Sequence, residues 1–260
     1  MSEIEVTDDA GLRTIRINRP DKKNALTRAM YAAMGEALRE AATAPGLRAV
    51  LITGGTACFT SGNDVADFKA RGEQQAGVPS PARDFLAALR ACPKPVVGAV
   101  AGYAIGIGTT LLLHCDVVYA ADTAVFRMPF VDLGLCPEGG SSLVVPQRAG
   151  QLLANELLML GDAFTPETAV RAGIANAVVP VADLLATAEG VARRLAAKPP
   201  IAMATTKRLL RQAEEARLSD HMTEEFAKFG ELLRGPEAAE AVAAFQEKRN
   251  PDFSRFLAAE

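Results

Sequence analysis

The sequence predicts an α/β fold, a core of short buried strands alternating with helices, followed by a helical tail. Three observations carry that expectation. Ala49-Val50-Leu51-Ile52-Thr53, Val96 to Ala101 and Val117-Val118-Tyr119-Ala120 are short apolar runs without alternation, as in strands covered on both faces. Segments with helical apolar spacing separate them, the order expected of parallel pairing. From Gln151 onward helical patterning dominates, and Ala175 to Val179 is the one strand expected within it.

Taken in order, Ile4 to Thr7 and Leu12 to Ile17 alternate apolar with polar residues around Asp8-Asp9-Ala10-Gly11, which predicts a β-hairpin. Thr27 can cap a helix that carries Met30, Met34, Ala37, Leu38 and Ala41 on one face and stops before Pro45-Gly46. The strand 49–53 closes at Gly54-Gly55, and Phe59 to Val65 forms a compact turn. Lys69 to Pro81 is polar and rich in turn residues, so a loop is expected there before a short helix, Ala82 to Ala91. The strand 96–101 leads through a glycine turn into an apolar helix-like run, Thr109 to His114, with further strands at 117–120 and 124–126. Helices are then expected at 152–160, at 168–172 after the Thr165 cap and Pro166, and at 181–198, 201–216, 219–233 and 236–248.

Charge and composition exclude several classes of function. Lysine and arginine total 28 against 31 acidic residues, a net of −3, so no nucleic-acid footprint is expected. The four cysteines, Cys58, Cys92, Cys115 and Cys136, form no CxxC pair, and two histidines offer no metal-ligand spacing. The start, MSEIEVTDD, lacks the basic and apolar regions of a signal peptide, so free thiols in the cytoplasm are expected. The nearly uncharged stretch Pro95 to Cys115 is interrupted by Gly98, Gly102, Gly106 and Gly108, so it is expected to be a buried strand and helix and not a membrane span.

Chemistry concentrates between Gly102 and Ser142. Gly102, Gly106 and Gly108 lie at a strand-to-helix turn, where outward-pointing backbone N–H groups can hold an anion. Gly106 to Leu111 lacks the third glycine of a dinucleotide fingerprint, and the glycines could equally serve tight helix–strand packing. Pro137-Glu138-Gly139-Gly140 places Glu138 near a helix start, where the helix dipole favours the ionised carboxylate and an apolar pocket favours the protonated one. On these residues alone, Glu138 is either a tuned proton carrier or a solvated helix-start acid. His114, in an apolar run, is expected to be a buried hydrogen-bonded histidine, and His221 belongs to the helical tail. Ser141 and Ser142 lack a Gly-x-Ser-x-Gly elbow and are expected to cap a helix.

Five pieces in order resemble the enoyl-CoA hydratase/isomerase (crotonase) family: Asn18-Arg19-Pro20 with Asn24-Ala25-Leu26; Phe59 to Asp64; Gly102-Tyr103-Ala104 through Cys115-Asp116; Leu133-Gly134-Leu135 before Glu138-Gly139-Gly140; and Phe245 to Arg249. The likeness covers almost the whole chain. It implies a crotonase-like spiral of ββα turns over residues 1–195, a C-terminal helical trimerisation region over 196–260, and a homotrimer or a dimer of trimers. It also implies an acyl-CoA thioester as substrate, with coenzyme A carried by the substrate and no separate cofactor. Two backbone N–H groups, of Asn63 and Ile107, are the implied holders of the thioester carbonyl. Removing one such donor from an enolate-forming site typically costs about 2.7–4 kcal/mol.

The same resemblance assigns substrate contacts to Lys23, Ala25, Ser61, Gly62, Asp64, Val65, Phe68, Gly106, Phe130, Leu135 and Lys248. Among them Phe68, Phe130 and Leu135 are expected to line the acyl site, and Lys22, Lys23 and Lys248 to meet the phosphates; Asp64 is also expected to cap the helix after it. Hydratases of the family carry two glutamates, and the matching positions here are Thr110 and Phe130. Glu138 instead stands where Δ3,Δ2-enoyl-CoA isomerases of the peroxisomal type and their bacterial relatives keep one glutamate. The resulting expectation is such an isomerase, with Glu138 moving a proton from C2 to C4. The alternatives are hydration or thioester hydrolysis with a bound water, and a non-catalytic acyl-CoA-binding protein.

Overall fold

In the structure, a computed structural model that describes residues 2–64 and 80–256, the first hairpin sets the edge of the sheet. Strands β1 (Ile4–Asp9) and β2 (Leu12–Ile17) pair antiparallel, and the turn between them uses left-handed Ala10 and Gly11, with φ of 44° and 84°. Every other neighbour in the six-stranded sheet is parallel: β2, β3 (Ala49–Thr53), β4 (Val96–Val100), β6 (Val117–Ala121) and β8 (Ala177–Val179), in that order.

The apolar runs without alternation arise because both faces of the sheet are covered. Successive side chains of a strand point to opposite faces. Val50 and Ile52 face one core, with Met30, Met34 and Leu38 of α1 (Arg28–Thr43) and Phe85, Leu86 and Leu89 of α2 (Pro81–Ala91). Ala49 and Leu51 face the other, where β4 adds Val97 and Ala99. Thr27 and Ser80 cap the two helices, their hydroxyls accepting from the N–H groups of Met30 and Arg83. Of the loop expected over 69–81, residues up to 79 lie outside the described residues, as do Val65 and Phe68.

A second, shorter parallel pair positions the site. It joins β5 (Tyr103–Ile105), a strand the sequence reading did not separate, to β7 (Val125–Arg127), one residue later than expected. The helical run expected at 109–114 divides into a single α turn, α3 (Ile107–Thr110), and a 3-10 turn, Leu111–His114.

Several helical expectations need correction. The expected helix over 152–160 is a short α5 (Gln151–Asn155) that widens into a π turn, Glu156–Leu160, after α4 (Ser141–Ala149). The short α6 (Pro166–Arg171) is capped by Thr165 as expected. The segment 181–198 opens as a 3-10 turn before α7 (Leu184–Ala196), whose Leu184, Ala188 and Ala192 face the second core. The two helices expected at 201–216 and 219–233 are one, α8 (Pro200–Leu233), 34 residues long. No glycine or proline interrupts the chain near Arg217-Leu218, and contacts in the turns before it tie the helix to the rest of the fold. Lys207 and Arg211 each reach the Asp116 carboxylate at 2.6 Å, and Glu215 accepts from Arg90 at 2.6 Å.

After α9 (Pro236–Glu247) the chain turns back, and Glu240 gathers its end: its carboxylate accepts from Arg249, Arg255 and the N–H of Asp252. The Arg249 guanidinium, then the Asp252 N–H, hold the Glu240 carboxyl down at about 2. A depressed carboxylate stabilises above its unfolded value, about 4.3, and loses that contribution as pH falls toward 2. We therefore expect the hydrogen-exchange protection factors of residues 249–256, corrected for the intrinsic rate at each pH, to fall between pH 4.5 and 2 in the wild type. Glu240→Gln should show the low protection already at pH 7.

Candidate active site

The site is built where the parallel strands end. Thr60 bridges Ala104 in parallel, with the Thr60 N–H donating to Tyr103 O at 2.8 Å and the Ile105 N–H to Thr60 O at 3.1 Å. Asn63 and Ile107 each stand three residues beyond that bridge, one on each segment. On its other side Asn63 bridges Leu26, fixed by Leu26 N–H to Gly62 O at 2.8 Å and Asp64 N–H to Leu26 O at 2.9 Å. The Asn63 side chain is engaged, since its Oδ1 accepts from the Tyr31 hydroxyl at 2.8 Å. Among the described residues, the backbone N–H groups of Asn63 and Ile107 have no hydrogen-bond partner.

Glycines make that arrangement possible at two points. Gly106 has φ 56° and ψ −119°, a conformation closed to L residues, and turns the chain from β5 into α3 while its N–H donates to Arg127 O. Gly62 has φ 91°, and a Cβ there would lie 2.8 Å from the Ile105 carbonyl oxygen. The structure thus brings Gly62, Asn63, Gly106 and Ile107 together at the two adjoining turns.

Glu138 reaches the same place from the other glycine turn. It is buried, and its Oε1 accepts from the Thr110 hydroxyl at 2.5 Å. Thr110 is one helical turn beyond Ile107, about 5 Å along the axis of α3. The peptide groups around Glu138 are pinned as well. Its carbonyl accepts from the Ser141 hydroxyl at 2.7 Å, and His114 Nε2 donates to Gly139 O at 2.7 Å.

His114 is fully buried and neutral, as expected; burial lowers its pKa to about 3, against the opposing pull of the Gly139 carbonyl. Cys136, two residues before Glu138, is pushed up by burial and by the charge of Glu225. Among the described residues no group of three His, Cys, Asp or Glu side chains could hold a metal ion. No helix among them is long and apolar enough to cross a membrane.

Other expected positions fall around this centre in different ways. Phe130 and Leu135 are buried, the Leu135 N–H donates to Phe130 O, and the Phe130 ring packs edge-on against Phe229 at 6.4 Å. Ser61 is tied by its N–H to Lys23 O at 3.0 Å, and the Lys23 ammonium lies 5.1 Å from the Tyr103 ring centroid. Ala25 O and the Asp64 carboxylate both accept from Arg19. The helix Asp64 was expected to cap lies outside the described residues. Lys248 is not brought to this cluster among the described residues; it caps the C-terminus of α9 in a left-handed conformation, with φ 54°.

Ser141 and Ser142 do not cap α4. Its N-cap is Gly140, which has no side chain, and the acceptor for the Gly140 and Ser142 N–H groups is Glu225. Sequence reasoning missed Tyr31, Thr110 as a partner of Glu138, and Glu225. The last lies 85 residues from Gly140, with no local pattern to reveal it.

An anion-holding pair of turns beside one buried carboxylate is the geometry of an acyl-thioester enzyme that stabilises negative charge on a carbonyl oxygen. The chain belongs to the enoyl-CoA hydratase/isomerase family, whose profile matches residues 7–255, and its fold is the crotonase fold. It is an enzyme of the crotonase superfamily. The structure of Pseudomonas aeruginosa OdaA is 49% identical, with a TM-score of 0.90 over 94% of this chain and 99% of that one. The 2,3-dehydroadipyl-CoA hydratase of Escherichia coli K12 is 32% identical over 97% of this chain and 99% of its own length. Enoyl-CoA delta isomerase 2 of Rattus norvegicus is 34% identical over 93% of this chain and 63% of its own.

The burial of neutral His114 makes stability pH-dependent. Its folded pKa lies below the unfolded value of 6.5, so the unfolded state binds the extra proton and stability falls as pH drops from 6.5 toward 3. The slope from this group is at most about 1.4 kcal/mol per pH unit. Urea unfolding of His114→Asn between pH 7 and 4.5 is expected to show a shallower decline than the wild type.

Proposed function

We propose that the protein is a Δ3,Δ2-enoyl-CoA isomerase, moving the double bond of a 3-enoyl-CoA to the 2-position. The observation that carries this reading is one buried carboxylate, Glu138, held by Thr110, a residue that stands where a hydratase of the family would keep a glutamate. A reaction that takes a proton from C2 and returns it to C4 needs one base, whereas adding water calls for a base and an acid.

In this mechanism the thioester carbonyl accepts from the N–H groups of Asn63 and Ile107. Glu138 takes the proton from C2, the electron pair moves into a dienolate whose oxygen the two N–H groups stabilise, and Glu138 returns a proton to C4, or to C2 in the reverse step. Where its carboxyl proton exchanges with water before that return, the exchange can be read at C2. The carboxylate ends ionised as it began. The Thr110 hydroxyl donates to Oε1 and so fixes where the carboxylate stands relative to the carbon chain. Phe130 and Leu135 line the acyl site, while Ala25, Ser61, Gly62, Asp64 and Gly106 shape the thioester end. Lys23 and Lys248 meet the phosphates of coenzyme A, which is part of the substrate, so no further cofactor is required. We place the enzyme in the cytoplasm as a homotrimer or dimer of trimers, a reading supported by exposed apolar Leu152, Ile201 and Leu210.

A second reading, hydration of a 2-enoyl-CoA by Glu138 and a bound water, is favoured by the hydratase name of the Escherichia coli relative. Products separate the two. With a 3-enoyl-CoA, the purified protein is expected to give an unhydrated isomer of equal mass, and with a 2-enoyl-CoA little 3-hydroxyacyl-CoA. Rapid hydration would overturn the isomerase reading. Binding of both thioesters without turnover would reassign the protein as a non-catalytic acyl-CoA binder.

Glu138→Gln, close in size but not basic, is expected to lower kcat by at least about 10³-fold with little change in KM, within the usual range for loss of a general base. Near-normal turnover in that variant would remove Glu138 from the mechanism.

A further inference from the structure

The turn that carries Glu138 is held from the far end of the chain. Glu225, on α8, accepts from the Gly140 N–H at 2.5 Å through Oε2, and from the Ser142 N–H and hydroxyl at 3.0 Å and 2.5 Å through Oε1. Its carboxylate is buried, with Met222, Phe226 and Phe229 of the same helix also buried around it. With its hydroxyl proton on Glu225, Ser142 Oγ accepts from His221 Nε2 at 2.7 Å, on the more exposed side. Glu225 therefore occupies the N-terminus of α4, where orphan N–H groups would otherwise seek an acceptor.

Two features make this more than a helix cap. Gly139 and Gly140 both have positive φ, 68° and 78°, and glycine turns have little conformational preference of their own. Beyond the local bond of Ser141 to Glu138 O, two external anchors hold this turn: His114 on Gly139 O and Glu225 on Gly140 N–H. In addition, Glu138 lies only two residues before the N-cap, so a shift of the cap moves the backbone that carries it. Without Glu225 these N–H groups lose the acceptor they have, and the turn that carries Glu138 loses its anchor to α8.

We propose that Glu225 is the positioning residue for Glu138: by taking the N-terminal N–H groups of α4, it keeps the Glu138 carboxylate on Thr110 and facing the substrate. The proposal rests on the reading of Glu138 as the base. Glu225 is delivered by a rod whose earlier turns are tied to Asp116 and Arg90, so its place does not depend on the turn it holds. The effect is large because displacing a reacting group by about 1 Å can cost about 10²-fold in rate.

The test compares Glu225→Ala and Glu225→Gln with Glu138→Gln and wild type, by kcat and KM on a 3-enoyl-CoA, by exchange of the C2 protons with deuterium oxide, and by thermal unfolding. Glu225→Ala is expected to lower kcat and the exchange rate by the same factor, about 10- to 100-fold, with KM within two-fold. Glu225→Gln keeps an acceptor for Ser142 but turns an amide donor toward Gly140 N–H, so its loss should be smaller. If the alanine variant does not fold, the glutamine variant decides. A folded Glu225 variant with kcat within two-fold of wild type overturns the proposal. So does a rise in KM alone, or a loss of kcat without a matching loss of exchange. Full turnover and exchange in Glu138→Gln would instead defeat the reading of Glu138 as the base.

Discussion

A carboxylate taken out of water must be given hydrogen bonds in return, and the contact between Glu138 and Thr110 is the point on which the site depends. Burying an ionised carboxylate costs several kcal/mol unless donors replace its hydration, and a hydrogen bond to a charged group is worth about 1.5–3 kcal/mol. The Thr110 hydroxyl is one such donor. Its position on α3 decides where Glu138 can stand, and the glycine turn after Glu138 decides whether it can arrive there. A surface acid would need none of this support.

The scaffold meets the requirement through parallel strands with one common exit. The β4 strand runs on into β5 and α3, and the 60–63 segment runs alongside, so two backbone turns open on the same side of the sheet. Glycine is required at Gly62 and Gly106 for opposite reasons. At Gly62 a neighbouring carbonyl leaves no room for a Cβ, while at Gly106 there is room but the backbone conformation excludes other residues. Side chains are kept out of the turns, and the Asn63 amide is turned aside to Tyr31, so backbone groups face the substrate side.

The C-terminal helices act on this site from within the same chain. Lys207 is mostly buried and reaches both Asp116 and the Lys94 carbonyl; burial lowers its pKa while Asp116 raises it. Arg211 shares Asp116, and Glu215 meets Arg90, so α8 is tied to the end of the sheet and to α2 before it reaches the turn of Glu138. A helix at the end of the sequence thereby holds the turn of Glu138 near its middle.

The α/β class, the hairpin, the buried strands and the caps at Thr27 and Thr165 were legible because period, punctuation and capping chemistry are local properties. Glu138 stood out as an acid in a carboxylate-poor stretch, but whether it was buried or a solvated helix-start acid could not be read there. Asn63 and Ile107 came only from the family resemblance of their motifs, since no local pattern marks a backbone N–H. That α8 runs unbroken was misread, although no local residue forbids continuation, because the contacts that tie it to the body, to Asp116 and Arg90, come from distant elements. The cap of α4 was misread for the same reason: serines beside a helix start look like caps, yet a carboxylate 85 residues away already holds those N–H groups. Sequence determined which groups could do chemistry. Tertiary structure decided which of them meet, because hydrogen bonds between distant segments are set by packing and leave no period in the chain.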